Sequence, residues 1–358
     1  MKKNWLDEKI KRFSSIGGYV KPELISDSIK LDSNENYVIS KQLQNDIINT
    51  AKKNSDVREY PLGGVEQLIE SLSKFLKVPS NMIGVGNGSD QILDLILSNF
   101  ASKSTKVLTS NPTFGFFEER CKLYSIPMIR IPFSDDMKLD LNQFLKESKK
   151  ADILYLDSPN NPTGFQFTKT DILKLVKSFD GLIIIDEAYG EFSDYSLSKL
   201  VKNYPNLVVV RTVSKSFGLA GLRLGYFVAN KDFADAFMKV IQYPYPLSTI
   251  TIQSGISALE KPEIMLDSVN VIKSERKRII ETLKKYDAFD VFDSKANFVL
   301  FDAHGSYKRV FTALSEQGIS IRKLGKIGNH EGCLRVSIGT KEMNSKFLLA
   351  IRDFLGWL

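Results

Sequence analysis

The stretch VVVRTVSKSFGLAGLRLGY, residues 208–226, begins as a deeply buried β-strand and ends as something else. Three consecutive valines are the pattern of a strand covered on both faces, as in the interior of a parallel sheet. The run leads directly to Ser214 and Lys215, then through Gly218, Ala220 and Gly221 to Arg223. A buried strand that delivers a lysine, with an arginine eight residues on, directs attention to the other strand ends.

Working outward, short apolar runs bounded by Gly, Pro, Asn or Asp alternate with amphipathic stretches. Strands are expected at 82–86, 106–109, 152–157, 182–186 and 207–213, with helices over 66–76, 89–99 and 171–178 between them. This alternation predicts an α/β fold whose large domain is a mainly parallel sheet flanked by helices. A long helix is expected near 263–285, followed by short strands at 296–301, 319–322 and 333–338. The expected division is an N-terminal arm and part of a small domain over 1–39, a large domain over 40–262, and a C-terminal small α/β domain over 263–358.

In open α/β sheets, ligands sit beyond the carboxyl ends of the strands. Here the first end is Gly86-Asn-Gly-Ser-Asp90, opening an apolar helix; Ser89 or Asp90 can cap it, and its free N–H groups suit a phosphate. The next, Ser158-Pro-Asn-Asn-Pro-Thr-Gly164, is a rigid turn presenting two amides. The remaining two are Asp186-Glu-Ala-Tyr189 and Ser214-Lys215. Singly, each has an ordinary reading as turn, cap or surface lysine. Together they offer a phosphate cradle, an amide, a carboxylate with a phenol, and an amine, the set required by a pyridine aldehyde phosphate.

These motifs, in this order, resemble the fold type I pyridoxal-phosphate enzymes of the class I/II aminotransferase superfamily. The likeness spans nearly the whole chain and also takes in Asn34-Glu-Asn36, Tyr60-Pro61 and Arg335. Within the superfamily, Gly18-Tyr19, Tyr243-Pro-Tyr-Pro-Leu-Ser248, Ile319-Ser-Ile-Arg322 and the segment Gly332–Thr340 resemble the histidinol-phosphate aminotransferase branch. That branch exchanges an amino group between L-histidinol phosphate and 2-oxoglutarate.

The resemblance implies a role for each matching residue. Lys215 carries pyridoxal 5'-phosphate covalently and shuttles the reaction's proton, and Asp186 pairs with the ring nitrogen. Tyr189 and Asn161 bond the ring oxygen. Phe114 stacks on the ring where the family often has Tyr. Ser89, Asp90, Ser214 and Arg223 hold the phosphate, with Gly218 and Gly221 letting the chain fold back toward it. Tyr60 reaches the cofactor of a neighbouring subunit, which implies a homodimer with shared active sites. Arg335 and Arg322, the latter ending its own short strand, grip the anionic groups of the substrates. Tyr19, Tyr245 and Asn161 are further substrate contacts. The family usually follows Asn-Glu-Asn with Pro; here Tyr37-Val-Ile-Ser follows, so a changed pocket lip is expected.

Bulk properties narrow the class. Only two cysteines (Cys121, Cys333) and two histidines (His304, His330) are present, which argues against a disulfide framework and a resident metal. The first residues lack the apolar core of a signal peptide, and no run reaches a membrane-span length of ~18 residues, so a cytoplasmic enzyme is expected. The net charge of +7 is spread among acidic residues, and the densest cluster, Ser274–Arg278, reads as a solvated helix face rather than a nucleic-acid groove. Gly84-Val-Gly86-Asn-Gly88 does not complete a dinucleotide fingerprint. Transaminases of aromatic amino acids or other amino-alcohol phosphates, and a phosphothreonine-type decarboxylase of the same fold, remain open alternatives.

Overall fold

The structure, a computed structural model, describes residues 2–16, 18 and 27–356. Its strands are β1 (Ile29–Leu31), β2 (Ile83–Asn87), β3 (Val107–Asn111), β4 (Met128–Pro132), β5 (Ile153–Asp157) and β6 (Leu182–Asp186). They continue with β7 (Leu207–Thr212), β8 (Leu224–Val228), β9 (Asp290–Val291), β10 (Phe298–Asp302), β11 (Ile319–Ile327) and β12 (His330–Ser337). Seven of them form one sheet in the order β2-β8-β7-β6-β5-β3-β4, and five a second in the order β1-β11-β12-β10-β9.

In the large sheet every pairing is parallel except the two made by β8. Every residue of β5 and β7 is buried, the burial expected of central strands with helices on both faces. The valines of β7 divide between two cores: Val209 joins one, Val208 and Val210 the other. This side-to-side alternation is the period of a strand. Helices Gly64–Leu76, Gly88–Phe100 and Lys169–Ser178 each extend the expected spans by a few residues at most.

Two strands of the large sheet are absent from the sequence reading. The edge strand β4 carries Arg130 and ends at Pro132, so it lacks a continuous apolar run. The reversed strand β8 follows Arg223 so closely that it reads as the tail of a loop. Its reversal has a local consequence: residues 213–223 join antiparallel neighbours, so the chain leaves β7, passes Lys215, and returns beside its starting point.

In the small sheet, β1 comes from the N-terminal part of the chain and pairs in parallel with β11. Arg322 does not end a short strand as expected, because β11 continues to Ile327 across irregular pairings at Lys323, Gly325 and Ile327. The segment Pro262–Leu283 is one helix, but its charged cluster is only partly a solvated face. Glu275 is buried and takes bonds from Arg278 and Asn344, while Arg276 donates to the Ala296 carbonyl at 2.6 Å. Both histidines lie near Asp302, and Asp290, Asp302 and His330 bring potential ligand atoms within 4.8 Å of one another. None of these residues lines the cavity described next.

Candidate active site

A cavity of about 570 Å³ opens where the carboxyl ends of the large-sheet strands meet β11 and β12. Lys215 lies in it, three residues beyond the end of β7. It is partly buried, and its Nζ donates to the Ser33 carbonyl at 3.0 Å. Burial pushes the amine down to about 8; Glu35 works against that shift and Arg335 adds to it. An amine with this property can serve as a base near neutral pH.

Asp186 ends β6 beside it. Its Oδ1 accepts from the Ala188 N–H at 2.9 Å and its Oδ2 from the Tyr155 hydroxyl at 3.2 Å. Burial, reinforced by the neighbouring Asp157, raises the carboxyl to about 7. Among the described residues no ion pair reaches Asp186. A buried carboxylate without a cation is costly, and a protonated heterocycle would supply one. Tyr189 lies on the same wall, its hydroxyl accepting from Asn34 Nδ2 at 2.9 Å.

The opposite end of the cavity is formed by the start of helix Gly88–Phe100. Asn87 occupies its N-cap with no side-chain bond to the helix, so neither Ser89 nor Asp90 caps it as expected; both lie inside the first turn. Asp90 instead accepts from Arg223 Nη2 at 2.8 Å. Arg223 sits in left-handed backbone at φ 52°, after the short 3-10 turn Ala220–Leu222. Gly88 makes this approach possible, because a Cβ there would stand 2.6 Å from Arg223 Nη2. Ser214 accepts from the Thr212 hydroxyl at 2.9 Å on the same side. The first turn of the helix, a hydroxyl and a guanidinium thus line the same cavity, the kinds of donor a phosphate cradle would require.

Gly218 has φ 64° and passes within 2.9 Å of the Asn36 carbonyl, measured from where a Cβ would lie, so glycine is needed there. Gly221 meets open space and has no such requirement, contrary to expectation. The Tyr37–Ile39 departure does not line the cavity; Ile39 packs under the Gly218 turn instead. The changed sequence therefore bears on the lysine loop rather than on the pocket lip.

Across the cavity stand the arginines. Arg335 on β12 and Arg322 on β11 are register partners in an antiparallel pair, so their side chains leave the same face. Leu334, Val336 and Ile338 point into the core. Arg335 lies over the Phe298 ring at 5.1 Å and donates to Asn161 Oδ1 at 2.6 Å and to the Asp32 carbonyl at 2.8 Å. Asn161 is held by a bond from its own N–H to Asp157 at 2.8 Å. Phe114 heads helix Gly115–Tyr124 and also lines the cavity.

Tyr245, expected at the substrate, does not line this cavity, and neither does Tyr60, expected at a neighbouring subunit's cofactor. Tyr19 lies outside the described residues. Tyr60 and Tyr245 are 71% and 45% exposed and stack on each other with ring centroids 4.4 Å apart, away from the cavity lining. Sequence reasoning does not single out Asp157, which lines the cavity and is buried. Its signal is an acid ending strand 152–157, matching the acid that ends strand 182–186.

With the geometry in view, the similarity to known proteins is specific. The sequence pattern described as "Aminotransferase class I and II" matches residues 26–351. A histidinol-phosphate aminotransferase from Pyrococcus furiosus is 35% identical over 328 residues, covering 91% of this chain and 92% of that protein. The crystal structure of the histidinol-phosphate aminotransferase from Clostridium acetobutylicum superposes with a TM-score of 0.84 at 28% identity, covering 92% of this chain and 99% of that one. The enzyme of that name from Sinorhizobium meliloti, in complex with pyridoxal-5'-phosphate, shares the fold with a TM-score of 0.83 at 24% identity, covering 92% and 91% of the two chains.

Proposed function

Since the chain belongs to the class I and II aminotransferases, we propose that it transfers the amino group of L-histidinol phosphate to 2-oxoglutarate, using pyridoxal 5'-phosphate. The products are imidazole-acetol phosphate and L-glutamate, a step of histidine biosynthesis. The observation that carries the substrate class is the pair Arg322 and Arg335, opposed on β11 and β12 and lining one cavity with Lys215. A phosphomonoester and a dicarboxylate alternate in such a site, and both bring strong anions that guanidinium groups bind well.

The bound cofactor supplies an aldehyde that carries the amino group and a ring that draws electrons from the reacting carbon. On this reading Lys215 holds the cofactor and moves the proton, and Asp186 keeps a proton on the ring nitrogen. Asn161 and Tyr189 bond the ring oxygen, and Phe114 packs on the ring. The first turn at Ser89 and Asp90, with Ser214 and Arg223, holds the phosphate. Arg335 binds the substrate carboxylate and Arg322 the second anion. On the same reading the large cofactor domain spans 40–262, residues 1–39 supply an N-terminal arm and part of the small domain, and 263–358 form the C-terminal small domain.

Arg335→Lys is expected to raise the KM for 2-oxoglutarate about 10–100-fold, because an ammonium cannot form the two parallel bonds of a guanidinium. Steady-state kinetics checks this, and an unchanged KM would remove Arg335 from substrate binding. The reaction is tested by supplying L-histidinol phosphate and 2-oxoglutarate and measuring L-glutamate. One glutamate per donor consumed is expected. Turnover of aromatic amino acids but not of the phosphate ester, or carbon dioxide release from O-phosphothreonine without a keto acid, would overturn the assignment.

The working unit on this reading is a cytoplasmic homodimer. The exposed Tyr60 and Tyr245, stacked outside their own cavity, suit a contribution to a second copy's site. Mixing Lys215→Ala and Tyr60→Ala chains then rebuilds one intact site per mixed dimer. Recovery of up to about a quarter of wild-type activity is expected from random reassortment of a two-fold dimer. No recovery over the separate variants would place Tyr60 outside the shared site.

A further inference from the structure

Asp157 and Asp186 end adjacent parallel strands and are register partners, so two carboxylates stand side by side at the sheet edge. Both are more than nine-tenths buried and both line the cavity. Such a pair is unfavourable unless each member has compensation. Asp157 has three donors: Thr113 Oγ1 and Asn160 Nδ2 at 2.9 Å, and the Asn161 N–H at 2.8 Å. Donors of this kind favour the charged carboxylate. Burial acts in the opposite sense, raising the carboxyl to about 6, which leaves it mostly ionised at neutral pH.

The donors belong to separate pieces of the site. Thr113 immediately precedes Phe114 on the loop after β3. Asn161, fixed through its backbone, accepts from Arg335 on the small sheet. One buried charge therefore ties the ring-facing loop, the turn after β5 and the β12 arginine to the strand beside Asp186.

We propose that Asp157 is a positioning residue for this site: its negative charge orders Asn161 and, standing next to Asp186, strengthens that residue's hold on a proton at the cofactor's ring nitrogen. The inference rests on the reading of Asp186 as the ring-nitrogen partner.

The test compares binding of two probes to the full-length protein stripped of cofactor. One is pyridoxal 5'-phosphate; the other is its carbocyclic analogue, with C–H in place of the ring nitrogen. Wild type is expected to prefer the pyridine. Asp157→Asn is expected to reduce that preference about tenfold, the equivalent of one pKa unit. Because the readout is a ratio within one protein, general loosening of the site cancels. If the asparagine variant does not fold, Asp157→Ser carries the same measurement, since its hydroxyl can still accept from Asn161. An unchanged ratio, with both probes weakened equally, would reduce Asp157 to a scaffold for the turn and overturn the proposal. A wild-type protein with no preference would overturn the reading of Asp186, and this inference with it.

Discussion

Replacing Lys215 with alanine is expected to lower the rate of amino transfer by about 10⁴-fold, the upper end of what a positioned acid–base group contributes. The argument starts from β7. A strand buried along its whole length gives the following residues little freedom, and the return of the chain into β8 closes the loop on its other side. Lys215 is therefore presented at one place, partly buried in the cavity wall and with its proton affinity reduced. On the proposed reading the same group holds the cofactor and transfers the proton, so its loss removes both. Single-turnover kinetics on cofactor-loaded Lys215→Ala measures the effect, and added small primary amines are expected to restore part of the proton transfer. A variant retaining more than a tenth of the wild-type rate would remove Lys215 from that step.

The second large effect concerns Asp186→Asn, and it has opposite signs in two measurements. Activity is expected to fall about 10²–10³-fold, as for loss of one preorganised electrostatic contact. The cofactor-free protein is expected to become more stable. Asp186 has a folded pKa near 7 against an ordinary 3.8. Below about pH 4 the carboxyl is protonated in both folded and unfolded chains. As pH rises toward 7, the unfolded chain releases its proton while the folded chain retains it, so stability falls across that window. Above it the full cost remains, on the order of 4 kcal/mol. Asparagine keeps the shape, and Tyr155 can turn its hydroxyl to accept from the new amide. Urea unfolding of the cofactor-free proteins should show Asp186→Asn ahead at pH 8 and the gap closing toward pH 4. A variant less stable than wild type at pH 8 would mean that Asp186 is not an uncompensated buried charge.

Much of this site is legible in the sequence because the residues that build it follow strands with continuous apolar runs. The ends of β6 and β7 are visible as Ile-Ile-Ile-Asp186 and Val-Val-Val ahead of Lys215. What lies beyond a single strand is harder to read. That Arg322 faces Arg335 depends on the register of β11 against β12, which neither segment encodes alone. Asp90 reads as a helix cap, but the approach of Arg223 gives its carboxylate another partner. Asp157 has the same local signature as Asp186; its significance depends on Thr113 and Asn160 converging on it from two loops. Tyr60 and Tyr245 enter only through family resemblance, and a single chain leaves them exposed.

The central claim is that the lysine delivered by β7 is the covalent anchor of the cofactor. Reducing the cofactor-loaded protein with borohydride, digesting it and mapping the pyridoxyl-labelled peptide tests this directly. The account predicts one label, on Lys215 within the peptide that carries Ser214 and Ser216. A label on any other lysine, or no stable label after reduction, would contradict it.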